Sequence, residues 1–261
     1  MGTADGTEHS PISGMPEHMS TESLFIVASP RSGSTQLVQY VRQVPGCMSY
    51  GEIFKRDTLS KELLKRLRDP ETASELFATD TKAFWDFLLS NTRGDHKIVG
   101  AKLFPKHRRK DPFWDYVFSG EPRVIYLWRA RTFDTHISSL RSQATGHWQL
   151  KKDRSPAPET VSQKIRFDTA RYLRFRESAR EVYAETRDRL KGNPKAMFIE
   201  YSEITKPEAL SKRFEEYFGV PVALEATLQK MTPRPAIEYV ENMADAEGFV
   251  DDRLDEHEAE A

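Results

Sequence analysis

Between Leu24 and Val38 the chain reads L-F-I-V-A-S-P-R-S-G-S-T-Q-L-V: an apolar run, a turn of small and charged residues, then the start of a second apolar pattern. A short apolar run bounded by turn residues suits a strand buried on both faces, and Leu37, Val38, Tyr40 and Val41 recur at the spacing of one helix face. A buried strand turning straight into a helix points to the α/β class. It also places the turn at a helix N-terminus, where free N–H groups and the helix dipole attract anions and Gly33 lets the backbone approach closely. Arg31 adds a fixed charge, and Ser32, Ser34 and Thr35 add hydroxyl donors. A triphosphatase loop of the form G-x-x-x-x-G-K-[ST] would need Gly at position 28 and Lys at position 34, where this chain has Ala28 and Ser34. The turn therefore suits one terminal phosphate better than a triphosphate with magnesium. The competing reading is a solvated Ser/Gly turn with an ordinary N-cap.

Further strand-like runs at 97–103, 123–128 and 196–201 alternate with helical patterns at 34–43, 60–68, 81–91, 135–143, within 160–190, at 207–218 and at 223–230. This alternation predicts a single α/β domain over 23–243, with a central, mostly parallel sheet of four to five strands flanked by helices, a P-loop-like nucleotide-binding architecture. Residues 48–52 are a candidate short additional strand. Residues 1–22 lack periodicity and residues 244–261 are acidic and polar, so both read as mobile tails.

The formal net charge of −1 gives no global reason to expect a nucleic acid partner, so any anion site must be local. One cysteine, Cys47, forbids an intrachain disulfide and a cysteine-rich zinc site; it fits a reducing compartment and reads as packing rather than a nucleophile. No stretch approaches the roughly 18 apolar residues of a membrane span, and the first residues lack an apolar signal core. The expected location is cytoplasmic.

In parallel α/β sheets ligands collect at the carboxyl ends of strands. The run ending at Trp128 continues into Arg129-Ala130-Arg131-Thr132, and the helix that follows presents Ser138 and Ser139. An Arg with a Ser on the adjoining helix can grip a phosphate through a guanidinium fork and a hydroxyl. Taken with Pro30-Arg31-Ser32-Gly33-Ser34-Thr35, the pair Arg129 and Ser138 resembles the family of sulfotransferases that use 3′-phosphoadenosine 5′-phosphosulfate (PAPS). The segment Ile137-Ser138 through Thr145-Gly146-His147-Trp148 is similar to the bacterial trehalose and Nod-factor glycolipid type. The resemblance implies that Arg31, Ser32, Gly33, Ser34 and Thr35 hold the 5′-phosphosulfate, that Arg129 and Ser138 hold the 3′-phosphate, and that no metal is required. Arg131 with Ser139 has the spacing of the animal cytosolic enzymes and is an alternative register. The chain departs from the family in carrying Ala130, Thr132 and Asp134 where basic residues are common, and in lacking the C-terminal Arg-Lys-Gly loop of the cytosolic type.

Sulfuryl transfer to an alcohol needs a base for the hydroxyl proton. The resemblance implies Glu52, whose alternative role is to cap the helix that follows. His107 competes, because histidine titrates near neutrality, although it lies in the basic run Lys106-His107-Arg108-Arg109-Lys110. Lys102 either stabilises the transferred group or extends to solvent. Trp128, Trp148, Tyr172 and Phe175 are stacking candidates that could equally be core. The implied acceptor is a hydroxyl of a carbohydrate, glycolipid or small natural product, and a homo-oligomer is compatible with the chain. Two other readings stay open: a P-loop-like kinase using ATP and magnesium, and a module that binds PAPS or its product without turnover.

Overall fold

In the computed structural model, the residues described are 21–55, 58–65, 67–92, 94–105, 112–148, 150–151, 162–229 and 234–254. Strand β1 (Glu22–Ala28) lies at the centre of a five-stranded sheet in the order β2-β3-β1-β4-β6, formed with β2 (Cys47–Ser49), β3 (Ile98–Leu103), β4 (Arg123–Trp128) and β6 (Ala196–Glu200). Every pairing is parallel. Alternate residues of β1 serve two cores, as a strand covered on both faces requires. Leu24 and Ile26 pack towards α1 (Ser34–Val41), α8 (Tyr201–Ile204) and α9 (Pro207–Phe218), with Leu37, Ile204, Leu210 and Phe214. Phe25 and Val27 pack towards α3 (Pro70–Thr79), α4 (Thr81–Asn91), α5 (Phe113–Phe118) and α7 (Thr169–Leu190), with Phe77, Trp85, Phe113 and Tyr183. A third cluster joins α6 (Thr132–Thr145) and α7 through Phe133, Ile137, Phe167 and Tyr172.

The single α/β domain with a parallel sheet is as the alternating pattern predicts. Helices at 81–91 and 207–218 match to the residue, and Asp80 caps the first by accepting from Ala83 N at 2.9 Å. The helix expected at 60–68 is confined to α2 (Lys61–Leu64), and α3, capped by Asp69 ahead of Pro70, was not anticipated. The long helix begins at Thr169, capped by Asp168.

Two expectations are corrected. Residues 223–229 are not helical and end in β7 (Leu228–Gln229), which pairs with β5 (Leu150–Lys151). The cause lies on α1 and just beyond it. Gln36 Oε1 accepts from Leu228 N (2.9 Å) and Thr227 N (3.3 Å), while the Gln43 amide takes both Glu225 N and Glu225 O, removing the groups a helix would need. Residues 244–254, assigned by composition to a mobile tail, carry turns at Met243–Asp245 and Glu247–Phe249 and bury Leu254 in the core. Residues 1–20 and 255–261 lie outside the described set, as do 160 and 161. Among the described residues no helix is long and apolar enough to cross a membrane.

Candidate anion-binding active site

The strand order makes a crevice. From β1 the chain leaves towards β2 on one side of the sheet, and from β4 it leaves towards β6 on the other, so the loops after β1 and β4 diverge between neighbouring strands. The loop after β1 is tightly formed. Ser32 is fully buried, and its hydroxyl donates to Ser29 O at 2.6 Å. Gly33 has φ 85° and gives α1 no side-chain cap, so the first N–H groups of the helix are left for a ligand. Arg31 has φ 67°, the one non-glycine residue with positive φ among the described residues. Backbone strain of this kind persists where the surroundings enforce it and concentrates at functional sites.

Arg31 turns its side chain towards the second strand end. Its Nε donates to Ser138 Oγ (3.1 Å) and its Nη1 to Trp148 O (2.5 Å), with the guanidinium 6.0 Å from the Trp148 ring. Arg129 reaches the same place from β4: Nη1 points at Arg31 O (3.5 Å), Nη2 donates to Asp134 Oδ2 (3.1 Å), and the guanidinium lies over the Tyr201 ring at 4.3 Å. Burial, and then the charge of Arg129, pushes the Arg31 guanidinium below its ordinary range. Arg31 makes no ion pair with a carboxylate among the described residues. Two guanidiniums held together, of which only Arg129 has a carboxylate partner among the described residues, form a site suited to an anion. Arg131 leaves this group: it is 46% exposed and contacts Asp134 (3.3 Å) and Val250 O (3.2 Å), while Ser139 accepts from Gln143.

Glu52 and Lys102 stand at the neighbouring strand ends. The backbone beyond β2 stays beside β3, with Tyr50 N donating to Gly100 O (2.8 Å) and Lys102 N to Gly51 O (2.7 Å), which sets Glu52 Oε2 at 3.5 Å from Lys102 Nζ. Lys102 does not extend to solvent. It is 5% exposed, and burial pushes its ammonium below the usual lysine range, opposed by the charge of Glu52. Nor does Glu52 cap the next helix, since Ser60 does so by accepting from Leu63 N. Beside Glu52 opens a cavity of about 350 Å³, lined by Tyr50, Ile53, Lys55, Thr58, Ser60 and Glu62 among others. His107 and the basic run around it lie outside the described residues.

Of the aromatic candidates, Tyr172 is fully buried in the core, while Phe175, against His136 (ring centroids 4.9 Å), and Trp128, against Tyr126 and Tyr183, are partly buried and pack on its edge. Only Trp148 is exposed, at 54%, beside Arg31. Cys47 is buried with its thiol pushed up to about 11, which fits packing. Sequence reasoning missed Tyr201, which backs Arg129, and Glu200, whose Oε1 accepts from Ala130 N at 3.1 Å. Glu200 ends β6 and Tyr201 follows it directly, so strand-end position was the available signal.

No known protein family and no curated protein sequence matches the chain. Among solved structures it is similar to a sulfotransferase from Alicyclobacillus acidocaldarius, at 13% identity and a TM-score of 0.44, covering 81% of this chain and 85% of that one. It is also similar to the mouse sulfotransferase SULT7A1 complexed with PAP, at 15% identity and a TM-score of 0.40, covering 77% of this chain and 59% of the mouse protein. Likenesses this distant leave the chemistry to be read from the site.

Proposed function

We propose that this protein is a PAPS-dependent sulfotransferase that moves a sulfuryl group to a hydroxyl of a carbohydrate, glycolipid or small natural product. One observation carries the reading: Arg31 and Arg129, from two different strand ends, converge beside the uncapped start of α1, Arg31 on Ser138 Oγ and Arg129 on Arg31 O. A ligand with phosphate at both its 5′ and 3′ positions has a charge for each place. The 5′ end goes to residues 31–35, and the 3′-phosphate to Arg129 and Ser138. Ser34 in place of a loop lysine weighs against a kinase using ATP and magnesium.

The donor supplies an electrophilic sulfur and a phosphate leaving group. Glu52 removes the acceptor's proton, with the acceptor entering from the cavity beside it. Lys102, held 3.5 Å from Glu52 in buried surroundings, orients that carboxylate and, with Arg31, offers positive charge to the leaving bridging oxygen. A fixed charge in a water-poor site needs no reorganisation as the transition state forms. Titration calorimetry with adenosine 3′,5′-bisphosphate and with ATP plus magnesium tests the proposal. Micromolar binding of the bisphosphate with weak or no binding of ATP is expected, and the reverse order overturns it. Binding without sulfate transfer to any hydroxyl acceptor, and no effect of Glu52→Gln, would instead make the protein a binding module.

A further inference from the structure

The loop that carries Arg129 is held from outside by a segment more than a hundred residues away. Leu254 N donates to Ala130 O (3.0 Å), Thr132 N donates to Asp252 O (3.1 Å), and Arg131 and Arg253 form an antiparallel bridge. Residues 252–254 thus lie along residues 130–132 like an added strand. Asp252 anchors that strand to α7: its Oδ2 accepts from Tyr172 Oη (2.9 Å) and Arg176 Nη1 (2.8 Å), and Thr132 Oγ1 lies 2.9 Å from the same tyrosine hydroxyl. On the opposite side the loop is tied by Glu200 to Ala130 N. The restraint has a load to bear, because Arg31 and Arg129 repel one another.

We infer that Asp252 is a positioning residue for the nucleotide site: it fastens the C-terminal segment against the β4–α6 loop and so keeps Arg129 against Arg31. The inference rests on Arg129 meeting the 3′-phosphate. Loosening the latch therefore weakens recognition of that phosphate while the loop after β1, which the segment does not touch in any of these bonds, keeps its grip on the 5′ end.

The test measures dissociation constants for adenosine 3′,5′-bisphosphate and adenosine 5′-monophosphate in wild type, Asp252→Ala and Tyr172→Phe. Tyr172→Phe removes one hydroxyl and keeps the ring in its aromatic cluster, so it reports even where Asp252→Ala fails to fold. Asp252→Ala should weaken the bisphosphate about ten- to a hundredfold, the scale of a lost charge-assisted hydrogen bond, and leave the monophosphate within about twofold. Tyr172→Phe should change in the same direction by less. Variants that keep the wild-type ratio of the two constants, or that lose both ligands equally, overturn the inference while leaving the proposed function standing. A wild type that does not distinguish the two nucleotides overturns the role of Arg129 and the latch with it.

Discussion

Gly33→Ala is the sharpest structural probe of the loop after β1, because its cost separates into two parts. The residue has φ 85°, and giving it a Cβ there costs roughly 1–2 kcal/mol. A methyl built on it would overlap Ile204 Cδ1 and stand 3.0 Å from Tyr201 Cδ2 and Cε2. Ile204 is 3% exposed and packed in the core, so relieving the overlap costs about a further 1–3 kcal/mol. The sum, about 2–5 kcal/mol, corresponds to a fall in Tm of about 5–15 °C for a chain of this size. Gly219→Ala is the control: its φ is 70°, but nothing lies within 4 Å of a Cβ there, so it should cost about 1–2 kcal/mol alone. Ile204→Val removes the Cδ1 methyl. In the wild-type background it should destabilise by about 0.5–1.5 kcal/mol, and in the Gly33→Ala background it should restore stability, a coupling of about 1–3 kcal/mol measured by urea unfolding. Equal costs for Gly33→Ala and Gly219→Ala, or no coupling to Ile204, would refute the reasoning.

Glu52→Gln should lower kcat by about a hundredfold or more while changing bisphosphate affinity less than about twofold, measured by sulfate transfer and calorimetry; equal kcat would remove Glu52 as the base. Lys102→Met should lower unfolding stability, by up to about 3–5 kcal/mol, because it strips the half-buried Glu52 carboxylate of this partner, and should also cost activity; Lys102→Met with Glu52→Gln should recover most of that stability. Unchanged stability in the single variant would contradict the pairing. His136 is buried among Phe167, Tyr172 and Phe175 with Nε2 unbonded, and burial, reinforced by Arg171 and opposed by Asp168, lowers its pKa to about 4. Between the unfolded value near 6.5 and that folded value the unfolded chain binds the extra proton, so stability falls as pH drops through this window, by up to about 3 kcal/mol. His136→Phe should flatten that decline, and identical pH profiles for the two proteins would contradict the assignment.

The parts of the fold that rest on local pattern were readable from the residues. A strand such as β4 is apolar from Val124 to Trp128 because both of its faces are covered, and α4 declares itself through Asp80 and its apolar spacing. What could not be read depends on partners distant in the chain. Residues 223–229 have a helical composition, and bonds to Gln36 on α1, to Gln43 just beyond it and to Ser211 on α9 take up their backbone groups instead. The acidic stretch after 243 hides Asp252 and Leu254, whose roles exist only against α7 and the loop after β4. The candidate site divides the same way. Arg31 and Arg129 sit where strands end and helices begin, and Ser138 lies in the second turn of the helix that follows, which sequence position alone exposes. That Lys102 is buried against Glu52, and that Tyr201 backs Arg129, are consequences of strand order.

The central claim is that Arg129 and the loop after β1 recognise two phosphates on one nucleotide. It is tested most directly by the ratio of affinities for adenosine 3′,5′-bisphosphate and adenosine 5′-monophosphate in wild type and in Arg129→Ala. The account predicts that the wild type prefers the bisphosphate by about ten- to a hundredfold and that Arg129→Ala abolishes the preference while binding the monophosphate as before. A preference that survives the substitution would contradict it.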